Sequence, residues 1–299
     1  MYVVTGATGN TGNVVVRTLL AKGQAVRAIG RNADHLRTAA SGAEPFVCEI
    51  TDEDALTKAF TGAGAVYAMI PPNMASTDYR AYQERVTNSI AGAIERSGLK
   101  RAVTLSSVGA DQPSGSGPVS GLYDFEQRLN QISGLNVLHL RAGYFMENTL
   151  AQIGIIKQMG AAAGPLRADL KVPVIATRDI GAAAAEELLK GDYRGHQTRE
   201  LLGQRDLTMT EVAAIIGKEI GKPGLQYVQP PADQVLAALT GLGMSSNVAG
   251  LLLEMAGALN SGHMRALEPR SARNTTPTSF ETFMKEEFVP RYQCKTTAA

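Results

Sequence analysis

Residues Val3-Val4-Thr5-Gly6-Ala7-Thr8-Gly9-Asn10-Thr11-Gly12 join a β-branched run to a helical pattern through three glycines. The helical pattern continues over residues 13–22, so the segment predicts a strand, a tight turn and the start of a helix. Such a turn leaves backbone N–H groups free at the positive end of the helix, which suits a pyrophosphate. The segment therefore predicts a nucleotide-binding site, and a glycine turn without a ligand is the alternative.

The three glycines of this turn have separate physical reasons. Gly6 permits the sharp turn, Gly9 lets the backbone approach the phosphates, and Gly12 lets the helix pack closely on the strand. We expect all three to contact the cofactor. Three neighbouring side chains add hydrogen-bond donors at the same place: Thr8, Asn10 and Thr11.

The composition is that of a globular protein without a strong electrostatic preference. The chain has 299 residues, of which 44% are hydrophobic and 19% charged, and its formal net charge is +1. This balance gives no reason to expect direct binding to nucleic acid or to an anionic membrane. The four histidines are scattered without metal-ligand spacing, so no metal site is predicted.

Cysteine usage and the hydropathy pattern predict a cytoplasmic protein. Cys48 and Cys294 lie far apart, which fits a reducing compartment better than a disulfide framework. The first predicted strand begins almost at Met1, so we expect no signal peptide. No segment has the long uninterrupted apolar run of a membrane span, and residues 248–259 are expected to form an amphipathic helix packed on its own protein.

The residues after a second predicted strand, at 24–29, bear on the choice of cofactor. A site for NAD usually has an acidic residue here to accept from the ribose hydroxyl, whereas a basic residue suits a 2′-phosphate. In this chain Arg31 follows the strand, and its guanidinium can bind a phosphate through two hydrogen bonds. The sequence therefore favours NADP(H), although Asp34 keeps NAD open.

Further strands are predicted at residues 43–48, 63–70, 100–105 and 136–140, and helical patterns separate them. This alternation predicts an α/β fold with a doubly wound parallel sheet of the Rossmann type, which binds ligands at the carboxyl ends of its strands. For the two serines at such an end, a hydroxyl that only caps the local backbone is the alternative. The residues expected to contact the cofactor there are Glu49, Ile50, Ile70, Pro71, Ser106 and Ser107.

The alternation stops after residue 148 and returns only briefly. We expect residues 1–150 and a return segment, 177–203, to form an NADP(H)-binding Rossmann domain. Residues 151–176 and 204–299 are expected to form a smaller, mostly helical C-terminal substrate lobe. A disordered tail is predicted after Tyr292.

A combination of motifs over nearly the whole chain resembles the NmrA-like branch of atypical short-chain dehydrogenases. The resemblance implies an NADP(H)-binding doubly wound domain with a smaller lobe over the nicotinamide. The family includes NADPH-dependent quinone reductases, reductases of phenylpropanoid-type substrates and NADPH-sensing regulators, so it specifies the cofactor better than the reaction. Besides the glycine turn and Arg31, the motifs are Ser106-Ser107-Val108-Gly109-Ala110, Leu140-Arg141-Ala142-Gly143-Tyr144-Phe145-Met146-Glu147-Asn148, Arg178-Asp179-Ile180-Gly181, Glu200-Leu201-Leu202-Gly203 and Leu207-Thr208-Met209-Thr210-Glu211. The last of these motifs also predicts a capping box at the start of a helix, because Thr208 and Glu211 have the required spacing.

Tyr123 is the candidate catalytic residue. Ordinary short-chain dehydrogenases use a tyrosine whose pKa is lowered by a lysine four residues later, but Gln127 occupies that place here. By the resemblance, Tyr123 falls where related reductases carry a lysine or histidine, at the start of the helix that faces the nicotinamide. It either donates a hydrogen bond to a carbonyl oxygen or forms a wall of the pocket. Tyr144 and Phe145 either pack on the nicotinamide or are core aromatics at a domain seam.

Two functions fit this sequence. The first is an NADPH-dependent oxidoreductase that transfers hydride to a quinone or a similar electrophilic carbonyl or enone, because such acceptors need positioning more than acid catalysis. The second is a non-catalytic, NADP(H)-sensing regulatory protein, which the missing lysine favours. An epimerase or dehydratase is disfavoured because it needs the Tyr–Lys pair. A homodimer and a regulatory protein partner both stay open.

Overall fold

The computed structural model describes residues 1–294, so most of the tail predicted after Tyr292 lies outside the described residues. Its first strands alternate with helices as predicted, and several short strands that follow form two smaller sheets. They are β1 (Tyr2–Val4), β2 (Val26–Gly30), β3 (Glu44–Val47), β4 (Ala65–Ala68), β5 (Arg101–Ser107), β6 (Asn136–Ala142), β7 (Tyr144–Phe145), β8 (Ala162–Ala163), β9 (Val172–Ile175), β10 (His196–Leu201), β11 (Arg205–Leu207) and β12 (Tyr227–Val228).

The helices lie between these strands and make up most of the C-terminal part. Two short 3₁₀ segments, Gly117–Val119 and Met146–Ala151, and a π-helical turn, Met284–Phe288, accompany them. The α-helices are α1 (Asn10–Ala21), α2 (Ala33–Ala39), α3 (Glu53–Phe60), α4 (Tyr79–Ser97), α5 (Ser120–Asn130), α6 (Gln152–Met159), α7 (Thr177–Lys190), α8 (Met209–Glu219), α9 (Ala232–Gly241), α10 (Ser246–Ser261), α11 (Phe280–Phe283) and α12 (Val289–Gln293).

Seven strands form the central sheet in the order β10-β6-β5-β4-β1-β2-β3, and every pairing in it is parallel. The chain order reverses between β1 and β4, which is the point where open parallel sheets bind ligands. The prediction of a doubly wound parallel sheet of the Rossmann type is therefore confirmed. The glycine turn follows β1 at this switch point.

Each face of the sheet has its own hydrophobic core. Helices α1 and α7 cover one face, where Val15, Leu19 and Ile180 are fully buried. Helices α3, α4 and α5 cover the other face with side chains such as Phe60 and Phe125. This two-sided burial explains why the central strands read as continuous apolar runs rather than alternating ones.

The C-terminal lobe has a third core, built on the three-stranded sheet β11-β9-β7 and on α8. Phe280, Phe283 and Phe288 from the end of the chain are buried in this core. The helix α8 begins with the predicted capping box, since Thr208 and Glu211 each accept from the other's backbone N–H group. The lobe is mostly helical, as predicted.

The structure also differs from the sequence-based expectations. The short strands β7, β8 and β11 were not predicted. The sequence around β8 predicts a loop of small residues, because two alanines have no strand propensity of their own. Helix α1 begins at Asn10, three residues before the predicted pattern, since its first turn uses the glycine motif itself. Among residues 1–294, no helix is long and apolar enough to cross a membrane.

A buried polar chain joins β5, β6 and α5. His139 is fully buried; its Nε2 lies 3.0 Å from the Asn130 side-chain oxygen and its Nδ1 lies 2.7 Å from the Thr104 hydroxyl. An amide oxygen only accepts, so Nε2 carries the proton and Nδ1 accepts from Thr104. Burial, with help from nearby Arg141, lowers the pKa of His139 to about 3.

This histidine makes the free energy of unfolding depend on pH. In the unfolded chain its pKa returns to roughly 6.5, so between pH 6.5 and 3 the unfolded state binds a proton that the native state does not. We expect this group alone to lower the free energy of unfolding by about 2 kcal/mol between pH 7 and pH 5. Urea denaturation of wild type and His139→Gln checks this: the variant should lose that part of the slope, and equal slopes would contradict it.

Candidate active site

The turn after β1 is built from backbone packed on backbone. Gly6 has φ +60, and the N–H of Gly9 donates to its carbonyl at 2.9 Å. A Cβ on Gly12 would lie 2.3 Å from the Gly6 oxygen, and one on Gly9 would lie 3.3 Å from it. A side chain at residue 12 is therefore excluded, and the helix can begin directly on the turn.

The first turn of α1 presents donors to solvent. Gly9 is its N-cap, so no side chain satisfies the first N–H groups, and the turn has no acidic residue. Thr8, Gly9 and Asn10 are exposed there. Free N–H groups at the positive end of a helix fit a phosphate, so the residues present suit the predicted dinucleotide.

Thr11 differs from its neighbours in this turn. Its side chain is buried, and the hydroxyl of Tyr67 donates to its Oγ1 at 2.9 Å. Burial raises the pKa of Tyr67 well above its usual value, so the phenol stays a neutral donor. The structure thus places Thr11 between α1 and β4, whereas Thr8 and Asn10 lie on the open side of the turn.

Arg31 lies at the end of β2 with an exposed side chain. Within residues 1–294 it forms no ion pair, so its guanidinium has no carboxylate to satisfy it. Asp34 instead lies in the first turn of α2, where it pairs with Arg37. This arrangement leaves a cation, rather than an acid, at the place that selects the cofactor.

Tyr82 lies among three residues predicted to contact the cofactor, Arg31, Glu49 and Pro71, and sequence reasoning did not single it out. Its hydroxyl donates to the carbonyl of Pro71 at 3.0 Å. Burial raises the pKa of Tyr82, the nearby Arg31 opposes this rise, and Glu49 adds to it. Tyr82 reads as one of the apolar positions of α4, and a phenol among aliphatic residues was the available signal.

Three further residues, Cys48, Ile50 and Ile70, pack in the same hydrophobic core as Tyr82. Ile70 is nearly buried in the core between the sheet and α4, and Ile50 packs against the same core. Burial, with the charges of Asp52 and Glu49, raises the pKa of the Cys48 thiol to about 11. Cys48 therefore stays a thiol and supplies no nucleophile.

A buried ion pair holds the carboxyl ends of β5 and β6 to α5. Glu126 is 1% exposed and receives two hydrogen bonds from Arg141, at 3.0 and 2.6 Å. It also accepts from the hydroxyl of Ser106 at 2.5 Å, while Ser107 donates to the carbonyl of Val108 at 2.9 Å. Both predicted serines thus lie at the expected edge, but their hydroxyls bond to groups of the protein itself.

Tyr123 lies on α5 one helical turn before Glu126, so the ion pair fixes the helix that carries it. Its side chain is half-buried and has no hydrogen-bond partner in the described part of the chain. Gln127 is half-buried as well, and no lysine replaces it at that spacing. The Glu126–Arg141 pair was missed in the sequence, although Arg141 stands inside a family-like motif.

Tyr144 and Phe145 occupy β7, at the seam between sheet and lobe. Their side chains separate: Phe145 packs against the core under α1 and α7, whereas Tyr144 packs against the core of the lobe. Burial raises the pKa of Tyr144. Both side chains therefore pack, at least in part, as core aromatics at the seam, which is the alternative named above. Contact with the nicotinamide stays a prediction.

Two family-like motifs have buried carboxylates that hold the end of the chain. Asp179 accepts from the N–H and hydroxyl of Thr278, at 3.0 and 2.7 Å. Glu200 accepts from the N–H groups of Leu267 and Glu268, at 2.9 and 2.8 Å. These residues therefore attach the segment 267–278 to α7 and to β10. Within residues 1–294, no group of His, Cys, Asp and Glu side chains is placed to hold a metal ion.

Removal of Glu126 leaves a buried guanidinium without its partner. We expect Glu126→Ala to lower the free energy of unfolding by about 3–5 kcal/mol, measured by urea denaturation. The double change Glu126→Met with Arg141→Met should recover most of this loss, because no charge remains buried. Glu95→Ala is the control: it breaks the more exposed Arg128 pair and should cost less than about 1 kcal/mol. Equal losses for the two single changes would contradict the interpretation.

Comparisons with known proteins place this chain in a family. The NAD(P)H azoreductase of Xenophilus azovorans is 28% identical over 256 residues, which is 85% of this chain and 86% of that protein. Quinone oxidoreductase 2 of Escherichia coli is 30% identical over 257 residues, again 85% and 86% of the two chains.

Solved structures share the fold. The NADPH-dependent quinone oxidoreductase of Escherichia coli, crystallised with NADPH, superimposes with a TM-score of 0.80 at 26% identity, over 95% of this chain and 99% of that one. The triphenylmethane reductase of Citrobacter sp., crystallised with NADP(H), has the same fold with a TM-score of 0.77 at 20% identity, over 95% and 99% of the two chains. The NmrA-like family matches residues 2–288. With its seven-stranded parallel sheet and glycine turn, the chain belongs to the NmrA-like family.

Proposed function

We propose that this chain is an NADPH-dependent oxidoreductase that reduces a quinone or a similar electrophilic carbonyl or enone. One observation carries the proposal: the uncapped first turn of α1 lies at the switch point of the sheet, and the unpaired Arg31 stands at the end of the neighbouring strand. Backbone donors and a free guanidinium suit the pyrophosphate and the 2′-phosphate of NADPH, respectively. When bound, NADPH supplies the hydride.

The relatives support this reading of the site. Two of them are named as an NAD(P)H azoreductase and a quinone oxidoreductase, and one relative was crystallised with NADPH. Each is an oxidoreductase by name, so we favour turnover over the alternative of a non-catalytic NADP(H)-sensing regulatory protein. The place of Gln127 is the observation that keeps this alternative worth testing.

The chain's own residues have separate tasks in the proposed reaction. Thr8, Gly9 and Asn10 bind the pyrophosphate, and Arg31 binds the 2′-phosphate. Tyr123 donates a hydrogen bond to the acceptor oxygen and orients the acceptor. The hydride and one proton from solvent together convert a quinone to a hydroquinone, so no strongly acidic side chain is required.

We also propose that the cofactor and the substrate are bound by different parts of the chain. Residues 1–150 and 177–203 bind the cofactor, and residues 151–176 and 204–299 bind the substrate. The two free cysteines fit a cytoplasmic location. The proposal needs no nucleic acid and no metal.

The cofactor assignment is tested by Arg31→Ala. Loss of a charge-assisted hydrogen bond to a phosphate costs about 1.5–3 kcal/mol, so the dissociation constant for NADPH should rise roughly 10- to 100-fold. Binding of NADH, which lacks the 2′-phosphate, should change less than about twofold. Fluorescence titration measures both. Arg37→Ala, an exposed arginine of α2, is the matched control and should leave both constants unchanged. Equal losses for the two cofactors would overturn the assignment.

The reaction is tested by NADPH oxidation with a panel of quinones and enones. We expect turnover with at least one quinone, and Tyr123→Phe should lower kcat/KM roughly tenfold or more because the acceptor oxygen loses a donor. Tyr2→Phe, at the start of β1 and therefore at the opposite edge of the sheet, is the control and should leave kcat nearly unchanged. Unchanged turnover in Tyr123→Phe would make Tyr123 a wall of the pocket. Tight NADPH binding with no turnover on any acceptor would favour the regulatory protein.

A further inference from the structure

The helical hairpin α9–α10 has a long apolar run that lies mostly outside the hydrophobic cores, although the end of α10 joins two of them through Ala256 and Ala258. From Gln234 to Leu253 the chain has no charged residue, although 19% of the whole sequence is charged. None of the leucines in this run joins one of the four hydrophobic cores of the described chain. They are half-buried or, for Leu242, 83% exposed. These leucines are Leu236, Leu239, Leu242, Leu251, Leu252 and Leu253.

The start of α10 is attached to the loop that follows β4. The N–H of Ser245 donates to the carbonyl of Met74 at 2.9 Å, and its hydroxyl donates to the carbonyl of Ser76 at 2.5 Å. The side-chain oxygen of Asn247 accepts from the N–H of Tyr79 at 2.9 Å. Since this loop leaves the carboxyl end of a central strand, the hairpin is held at the ligand-binding edge of the sheet.

The middle of α10 is attached to the loop that follows β5. Gly117 has φ +56, and a Cβ there would lie 2.0 Å from the carbonyl oxygen of Leu251, so the two backbones touch. Met264, just beyond α10, packs on Gly109, and Ala258 lies with Val119 in a small core. The hairpin therefore spans the loops after β4 and β5, beside the segments that carry Ser106 and Tyr123.

The loop after β4 adds an exposed apolar side chain next to the hairpin. Met74 is 46% exposed, and its carbonyl is bonded to the same turn that carries Leu242. The hairpin contributes no lysine or arginine between Asp233 and Glu254, so it has no cation to attract an anionic membrane or a sulfonated acceptor. The surface suits an uncharged, apolar ligand group.

We propose that the α9–α10 hairpin and Met74 form a subsite for the hydrocarbon extension of an uncharged quinone. This inference rests on the proposed function and specifies its substrate class: neutral quinones with an alkyl side chain, in preference to sulfonated ones. The quinone ring lies toward Tyr123, and the side chain extends along the hairpin toward Leu242. Burial of each methylene group would strengthen binding about fourfold.

The test compares methyl-1,4-benzoquinone, pentyl-1,4-benzoquinone and a sulfonated benzoquinone, with saturating NADPH. We expect kcat/KM for the pentyl compound to exceed that for the methyl compound at least tenfold, and the sulfonated compound to be the poorest. Leu242→Ser and Met74→Ser should each lower kcat/KM for the pentyl compound at least threefold. Both variants should leave the methyl compound within twofold, because these exposed residues touch only the extension.

Val47→Ser is the matched control: Val47 is 51% exposed in β3, an edge strand of the central sheet, and its loss should affect no quinone at saturating NADPH. Calorimetric binding of the same quinones to the protein with NADP+ gives a second readout without turnover. Turnover without any preference for the pentyl group would overturn the subsite and leave the proposed function intact. Preferential binding of the pentyl compound without turnover would support the subsite and overturn the reductase.

A second copy of the chain could occupy the same surface instead of a quinone side chain. Sedimentation velocity distinguishes the two occupants. We expect the same sedimentation coefficient for wild type and Leu242→Ser. A wild-type dimer that becomes a monomer in Leu242→Ser would assign the surface to a dimer interface and would overturn the subsite.

Discussion

The first turn of α1 rests directly on the carbonyl of Gly6, and this backbone contact sets the position of everything around the site. Gly12 has no room for a side chain at this contact. Behind it, α7 approaches α1 so closely that a Cβ on Gly181 would lie 2.7 Å from the Thr11 carbonyl. Strand, turn and two helices are thus packed as one unit, and the donors of α1 are fixed before any ligand arrives, which lowers the cost of binding.

Buried carboxylates hold the other parts of the molecule to this unit. Glu126 joins β5, β6 and α5, and Glu200 holds the backbone of residues 267 and 268. At the seam, Glu147 accepts from the N–H and hydroxyl of Thr177 at the start of α7, although burial raises its pKa. Each of these charges has hydrogen-bond donors around it, so its burial specifies a geometry instead of leaving an unpaired charge.

The sequence predicted the parts of the fold that local patterns encode. The glycine turn, the alternation of apolar runs and helical periods, and the Thr208–Glu211 capping box each depend on neighbours in the chain, and each prediction was confirmed. The two-residue strands β7 and β8 were missed because only their pairing partners define them, as β12 does for β8. Ser106 was correctly predicted at the carboxyl edge of the sheet. Its hydrogen-bond partner, Glu126, was not predicted because it lies 20 residues away in the chain.

By itself, the sequence determined the class of fold, the glycine cradle and the cation that follows β2, because these features lie within one strand–turn–helix unit or its neighbour. Only the tertiary structure decided which side chains meet. It placed Tyr82 beside Arg31 and Pro71, turned Ser106 toward a buried ion pair, and placed an apolar hairpin across the loops after β4 and β5. Contacts between distant segments depend on how the elements pack, and packing is a property of the whole chain.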